Sequence, residues 1–373
     1  MKDILHKQCT RCIMDNLTDP FIYFDNNGFC NHCINLLQNN SKYLFQQNIS
    51  DKKLKTLIDK VKKNGQNNEY DCIVGISGGI DSSYLIYLTA QWGLKPLAVH
   101  MDNGWNSKIA VSNIKKLLNK LNIELYTYVL DWEEFKDVQL AFFKASVIEV
   151  ENPTDMAIMG ILHKVAKKFG IKYILSAGNY STEGISPKHF QYGKKDLKYL
   201  RSIHQTFGTL QLKKFPAFGF WEEFVFKFIH GIKILYPLNF FNYQKDKAKN
   251  SLVTNFEWEY YGGKHHESII TKFVQRYYLP VKFRIDYRKA TYSTMICNGQ
   301  MSREEALNKI EDSSYNESEI ENDIAYIAKK FGISEKEFIR ILNIPQKYYT
   351  DYTHADKFLT TMYKLYYRIF RIF

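Results

Sequence analysis

Glycine and proline are scarce, 19 and 8 of 373 residues, which removes collagen-like and low-complexity readings. Charged residues make up 24% against 45% apolar, so the chain is not wholly disordered and has enough apolar side chains for a full core. No apolar run approaches the roughly 18 residues that a transmembrane helix requires. The most apolar region, 215–243, is interrupted by Glu222, Glu223, Lys227 and Lys233 and reads as buried structure. The stretch from Met1 to Cys9 lacks the apolar centre of a secretory leader. Six cysteines are too few for a disulfide scaffold in a chain of this length, and four of them form two C-x-x-C pairs, which favours a reducing compartment and a metal. Cytoplasm is the expected location, and the length predicts two domains plus an appendage.

Acidic residues are outnumbered 39 to 51, and the surplus is unevenly placed. Residues 185–215 hold seven basic and one acidic side chain, 264–289 hold seven and two, and 357–373 hold four and none. Anionic partners follow: nucleotides, sugar acids, RNA or a membrane surface. Charge alone does not choose among them.

The first segment reads Cys9-Thr-Arg-Cys12, an aromatic run Phe21-Ile-Tyr-Phe24, a turn at Asp25-Asn-Asn-Gly28, then Cys30-Asn-His-Cys33. Seventeen residues separate Cys12 from Cys30, the spacing of a four-cysteine zinc ribbon, a hairpin between two knuckles. Cys9, Cys12, Cys30 and Cys33 close a tetrahedral shell, so the Zn²⁺ is expected to be structural, with His32 a bystander. Residues 1–37 are thus read as the ribbon, 38–69 as a linker carrying one helix through Leu54, Leu57, Ile58 and Val61, 70–300 as the main domain and 301–373 as a helical region. Within 70–300, strands are expected at 71–76, 96–101, 124–130 and 171–177, with a fifth over 232–238. Helices at 82–92, 107–121, 132–146 and 154–169 lie between the first four strands, the last of them stopped by Gly170. Short apolar strands alternating with helices predict a parallel α/β sheet covered on both faces, with substrate insertions near 180–230 and 255–290.

The most informative stretch is Asp71-Cys-Ile-Val-Gly-Ile-Ser-Gly-Gly-Ile-Asp-Ser-Ser83, a buried strand passing through a glycine turn into a helix. Exposed N–H groups at a helix start, with glycines that admit close approach, form an anion site. The hydroxyls of Ser77, Ser82 and Ser83 add donors, and Asp81 offers a carboxylate to Mg²⁺. The lysine of a Walker A loop and the third glycine of a dinucleotide turn are both missing.

This stretch resembles the S-G-G-x-D-S signature of the PP-loop ATP pyrophosphatases, which implies a HUP-like, Rossmann-related five-stranded sheet. It also implies that Gly75, Ser77, Gly78, Gly79, Asp81, Ser82 and Ser83 hold the pyrophosphate portion of ATP, while His100, Asp102, Asn103, Gly178 and Asn179 face the nucleotide from the next strand ends. Asp102-Asn-Gly-Trp105, Asn152-Pro-Thr-Asp155, Gly178-Asn179 with Glu183, Trp258-Glu-Tyr-Tyr-Gly-Gly-Lys-His-His-Glu-Ser268 and Asn298-Gly-Gln-Met-Ser-Arg-Glu-Glu-Ala306, together with the ribbon, are similar to the N-acetyl sugar amidotransferases. Those proteins act in making acetamidino sugars, such as pseudaminic or legionaminic acid derivatives on flagellin or diacetamido uronic acids in O-antigen.

The resemblance implies a reaction. An N-acetyl amide oxygen attacks the α-phosphorus of ATP, an O-adenylyl imidate forms with release of pyrophosphate, and ammonia displaces AMP. Asp81, Asp155 and Glu183 are the candidate metal- or ammonia-orienting carboxylates. Lys289, Arg288 and Lys264 are candidates for phosphate or sugar carboxylate, and His265 and Glu267 for the substrate loop. No cysteine stands where a glutaminase needs one: Lys2 fills the second position, Cys72 lies on the first strand, and Cys297 lacks a preceding glycine. A separate glutaminase subunit, similar to that of imidazole glycerol phosphate synthase, is therefore implied. Two rivals stay open: a PP-loop tRNA thiolase, which needs more downstream cysteines than Cys297 alone, and a non-catalytic adenine-nucleotide binder. No nucleic acid is expected as partner. The tail places Phe358, Met362, Leu365, Tyr366, Ile369 and Phe373 on one helical face, which suits packing on its own domain or a weak peripheral membrane contact.

Overall fold

The computed structural model describes residues 5–43, 47–263, 266–311 and 315–370. Five parallel strands form one sheet: β1 (Cys72–Gly75), β2 (Pro96–Asp102), β3 (Leu125–Val129), β4 (Tyr173–Leu175) and β5 (Lys233–Leu235), in the order β3-β2-β1-β4-β5. Alternate side chains feed opposite cores. Ile73, Leu97, Val99 and Ile174 enter one, while Cys72, Val74, Ala98, Tyr173 and Leu175 enter the other. That division is why the central strands read as unbroken apolar runs. β3 departs from the expectation of a strand buried on both faces. It lies at the sheet edge, with Leu125 and Val129 exposed and Tyr126 and Tyr128 packed inward.

Helices α1 (Asn31–Tyr43) and α2 (Gln47–Gly65) precede the sheet, and α1 runs across residue 37, where the sequence suggested a boundary. α3 (Ile80–Gln91), α4 (Lys108–Leu121), α5 (Trp132–Ala145) and α6 (Asn152–Lys168) link the first four strands. Ser107 and Asp131 cap α4 and α5, each accepting from the third N–H of its helix. Gly170 follows α6 at φ +68°, a conformation that glycine adopts without strain. Between β4 and β5 lie α7 (Tyr180–Glu183), α8 (Leu197–Phe207) and α9 (Phe220–Phe224), the last continuing as a π turn over Val225–Ile229.

After β5 come α10 (Lys245–Phe256), α11 (Ile269–Phe273), α12 (Leu279–Phe283) and α13 (Tyr287–Cys297). The expected helical end contains α14 (Arg303–Glu311), α15 (Glu317–Phe331), α16 (Glu335–Leu342) and α17 (Asp356–Phe370). In the ribbon, the anticipated hairpin reduces to isolated bridges at Gln8–Asp15 and Phe24–Cys30. The Asp25 carboxylate takes the N–H groups of Asn27 and Phe29 within the turn that the Phe24–Cys30 bridge closes.

Candidate active site

The order β3-β2-β1-β4-β5 reverses direction between β1 and β4, and a crevice opens beyond the carboxyl ends of these strands. The loop 76–79 occupies one lip. Gly78 sits at φ +84°, and a Cβ there would come within 2.7 Å of the Ala110 carbonyl oxygen, so only glycine fits. Gly79 is the N-cap of α3 and has no side chain to close the helix end. Ser77 and Ser82 hold the loop from within: Ser77 N donates to Ser82 Oγ at 3.3 Å and Gly79 N to Ser77 Oγ at 3.2 Å. Tyr261 adds a third brace, its hydroxyl accepting from Ile80 N at 3.1 Å.

Glu267 reaches the loop from the chain after residue 263. Ser77 Oγ donates to its Oε1 at 3.3 Å, so an anionic group already lies on the donors. The backbone around Glu267 is pinned beside β2, where Ser107 N donates to its carbonyl at 2.8 Å and Asn106 bridges Ser268. Asp81 stands in the first turn of α3 and accepts from the hydroxyl of buried Tyr243. Burial, with Asp81 second, drives the Tyr243 phenol well above its usual pKa, so it remains a donor.

Behind the loop lies a cavity of about 640 Å³. Its walls include Gly75 and Ser77 from the loop, His100, Ser176 and Ala177 from the strand ends, and Glu149, Glu151, Asp155 and Glu183 from the helical side. Among the described residues that line it, Lys194 is the only lysine or arginine, and its Nζ meets Asp155 Oδ2 at 2.7 Å. Burial alone would lower its pKa, but Asp155, with Glu151 and Glu183, outweighs burial and holds Lys194 above the usual value. Thr271 donates to Glu151 at 2.7 Å and Tyr199 to Glu149 at 3.0 Å. Burial raises the Glu149 carboxyl to about 7. The arrangement can bind an anion at the loop and carry protons on carboxyls a short distance away.

Several expected site residues serve elsewhere. His100 Nδ1 donates to the Ile76 carbonyl at 2.9 Å and its Nε2 accepts from Asn106, so the ring ties β2 to the loop while one side borders the cavity. Asp102 accepts from Gly104 N within its own turn, and Asn103 from Trp105 N. Asn179 caps α7, accepting from Thr182 N at 3.0 Å, and Gly178 N bonds to Ser176 Oγ. Ser83, in the first turn of α3, is fully buried.

Lys289 belongs to the ribbon contact instead of the cavity: its ammonium meets buried Asp15. Arg288 lies across its own Asp286, at 2.8 Å for Nη2. Lys264 and His265 fall outside the described residues. Sequence reasoning missed Lys194, Glu149, Glu151, Tyr243 and Tyr261. Glu149 and Glu151 directly precede the Asn152-Pro-Thr-Asp155 segment that was noticed, whereas Tyr243 is 162 residues from Asp81 and no local pattern links them.

The four ribbon cysteines are fully buried, and their sulfurs all lie within 4.8 Å of one another. Cys12 and Cys30 are 3.7 Å apart and Cys9 and Cys33 3.9 Å. Thiolates about 2.3 Å from one tetrahedral ion stand about 3.8 Å apart, so the donor set fits a single four-sulfur metal. Backbone N–H groups of Cys12 and Cys30 point at Cys9 Sγ, at 3.4 and 3.2 Å, as a thiolate shell requires.

Residues 49–186 match the NAD synthase family model, and residues 267–367 match the model described as the C-terminal domain of WbpG-like LPS biosynthesis proteins. Together they support a PP-loop ATP-pyrophosphatase-type domain joined to one of the lipopolysaccharide-biosynthesis kind. No curated protein matches the chain. Among solved structures, an NMN synthetase from Francisella tularensis is 16% identical, with 58% of this chain and 95% of that chain covered at a TM-score of 0.30. An NH3-dependent NAD synthetase from Campylobacter jejuni subsp. jejuni NCTC 11168, in complex with the nitrate ion, is 20% identical, with 56% and 85% covered at 0.29. The U34-tRNA thiolase NcsA from Methanococcus maripaludis, with its 4Fe-4S cluster, is 14% identical, with 92% and 91% covered at 0.32.

Proposed function

We propose that the chain is the synthetase subunit of an ATP-dependent amidotransferase, forming AMP and pyrophosphate while converting a sugar N-acetyl group into an acetamidino group. The observation that carries this reading is the placement of a glycine phosphate loop at the mouth of a cavity large enough for a sugar and walled by Glu149, Glu151, Asp155, Glu183 and Lys194. The NAD synthase match over the loop and the lipopolysaccharide-biosynthesis match over the following region support an ATP-driven step in sugar chemistry.

An amide carbon is a poor electrophile with a poor leaving group. Adenylation of its oxygen forms a P–O bond and breaks the α–β phosphoanhydride. Ammonia then adds to the imidate carbon, AMP leaves with the oxygen, and an amidine remains. The loop N–H groups and Ser77 would hold the departing pyrophosphate, each well-aimed donor contributing roughly 3 kcal/mol to the transition state. Asp81 would hold Mg²⁺, which neutralises phosphate charge when bound. The cavity carboxylates would take the proton that ammonium must shed before its nitrogen can attack. Lys194 would hold a sugar carboxylate or phosphate in exchange for Asp155.

Ammonia is proposed to come from a separate glutaminase. All six cysteines of the chain are described and none lines the cavity: Cys72 is buried on β1 and Cys297 lies against Cys33. The same placement speaks against sulfur transfer to tRNA. The ribbon is proposed to hold Zn²⁺. Incubation with ATP, Mg²⁺, ammonium chloride and an N-acetylated nonulosonic acid should release pyrophosphate and give a sugar whose mass reports oxygen replaced by N–H. Pyrophosphate release that no acetamido sugar, free or nucleotide-linked, stimulates would refute the reading.

A further inference from the structure

A second surface carries its own signal, independent of the cavity. The helix formed by α9 and its π turn turns Phe220 and Phe226 inward, and Phe226 and Phe218 both pack against His163 of α6, at ring distances of 5.2 and 4.5 Å, and against each other at 6.3 Å. Its other side is an apolar stripe at helical spacing, Trp221, Phe224, Val225, Phe228 and Ile229, all exposed, Trp221 at 59% and Ile229 at 69%. α17 lies alongside. Phe358 and Tyr363 meet Phe220, Tyr366 meets Phe228 at 5.7 Å, and the Tyr363 hydroxyl donates to Glu223 at 2.7 Å. Packing on its own domain is therefore part of what the tail does. Yet Phe358 and Leu365 remain about half exposed and extend the same apolar face. Phe373 lies outside the described residues, as does the side chain of Ile369.

The charges around this face are sorted by sign. Among the described residues of 220–233 and 356–370, every charged residue in the exposed class is basic: Lys233, Lys357, Lys364 and Arg368. The acids are drawn in and occupied. Glu222 accepts from Gly219 N at 3.0 Å, and Glu223 is held by Lys195 at 2.7 Å as well as by Tyr363. Asp356 is half-buried at the start of α17. Lys227 spreads its stem over Tyr366 and Phe228, with Nζ 4.6 Å from the first ring centroid.

We infer that α9 and α17 form a platform that docks on an anionic lipid surface, the aromatic stripe entering the headgroup boundary and the lysines and Arg368 pairing with lipid phosphates. Paired amphipathic helices with tryptophan and phenylalanine on one side and cations at the rim have the composition of in-plane interfacial helices. Among the described residues of 220–233 and 356–370, the acidic side chains Glu222, Glu223 and Asp356 are part-buried, while Lys233, Lys357, Lys364 and Arg368 are exposed. None of the described helices is long and apolar enough to span a bilayer, so the contact is peripheral.

The test uses the full chain with vesicles of phosphatidylcholine, alone or mixed with phosphatidylglycerol. The protein should sediment with the mixed vesicles at low salt and be released as salt rises. Brominated acyl chains should quench its fluorescence, and Trp221→Phe should keep the binding while losing most of the quenching, since Trp105 and Trp258 are buried and the part-buried Trp92 and Trp132 lie outside α9 and α17. Lys364→Gln with Arg368→Gln should lower partition about 30-fold, about fivefold for each cation, at unchanged melting temperature. Failure to sediment with the mixed vesicles, or equal partition by the double variant, overturns the inference. So does a dimer in light scattering that Trp221→Glu dissociates, because the face would then be a protein interface.

Discussion

The Glu149 carboxyl allows a prediction with both sign and size. Glu149 is buried at the cavity wall, and burial moves its pKa from the usual 4.5 to about 7 against the opposing hydrogen bond from Tyr199. Between these values the folded protein holds a proton that the unfolded chain has lost. Stability therefore falls as pH rises from about 4.5 to 7 and is level beyond. The deficit is about 1 kcal/mol at pH 5 and about 3 kcal/mol at pH 8. Glu149→Gln keeps an acceptor for Tyr199 and removes the titration. For a chain of 373 residues, thermal unfolding should show a gain of about 4 °C at pH 8 and about 1 °C at pH 5. If the carboxyl also carries protons in the reaction, kcat should fall in the same variant while stability rises. An equal gain at both pH values, or a loss at pH 8, would refute the reasoning that burial dominates at this site.

Other outcomes follow from single contacts. Gly78→Ala pushes a methyl into the Ala110 carbonyl at a positive φ, and the loop must give way. ATP-dependent pyrophosphate release should drop by about 10²-fold, the scale of one lost anion donor, with the thermal transition little changed. Lys194→Met removes the one lysine that lines the cavity among the described residues and should raise the substrate KM by about 10- to 100-fold with a smaller change in kcat, as expected for a charge-assisted bond made in the ground state as well. A chelator strong enough to strip the cysteine cluster should lower the melting temperature in the free protein, and release of the metal, followed with a chromogenic dye, should coincide with unfolding of the ribbon; unchanged melting after complete release would contradict a structural role.

The sheet was legible because its central strands obey one constraint at a time. Residues 72–75 and 173–175 are apolar since both faces are buried, and the interruptions between strands fall where helices turn. The loop was legible because Gly78 and Gly79 have geometric duties that no other residue performs. What escaped was every contact made by long-range return of the chain. Lys289 was a candidate for phosphate or sugar carboxylate, but its partner Asp15 lies 274 residues earlier. Arg288 was read the same way and is bound by Asp286, two residues away. In both cases the count of positive charges was right as a count and silent about pairing. Conversely Lys194 was present only as one of seven basic residues in 185–215, although among the described residues it is the only lysine that lines the cavity.

The ribbon's part in the site follows from where α13 begins and ends. Tyr287, Ala290 and Thr291, in its first turns, line the cavity. The ribbon grips it along its whole length: Lys289 meets Asp15, Ser293 accepts from Ile13 N at 3.2 Å, and Cys297 Sγ lies 3.4 Å from Cys33 Sγ. Arg303, just beyond, reaches the carbonyls of Cys12 and Cys9 at 3.2 and 3.3 Å. The other flank of α13 is tied to the strand side, since Thr294 accepts from Ile185 N at 2.9 Å. A closed four-sulfur shell has no open position for a substrate, and no ribbon cysteine borders the cavity. A metal held by the four cysteines would therefore act on the cavity only through a helix: it would fix the knuckles, the knuckles contact α13, and α13 sets one wall of the cavity. Loosening that chain of contacts should appear first as weaker substrate binding, because the wall moves while the phosphate loop, built on β1 and α3, stays in place.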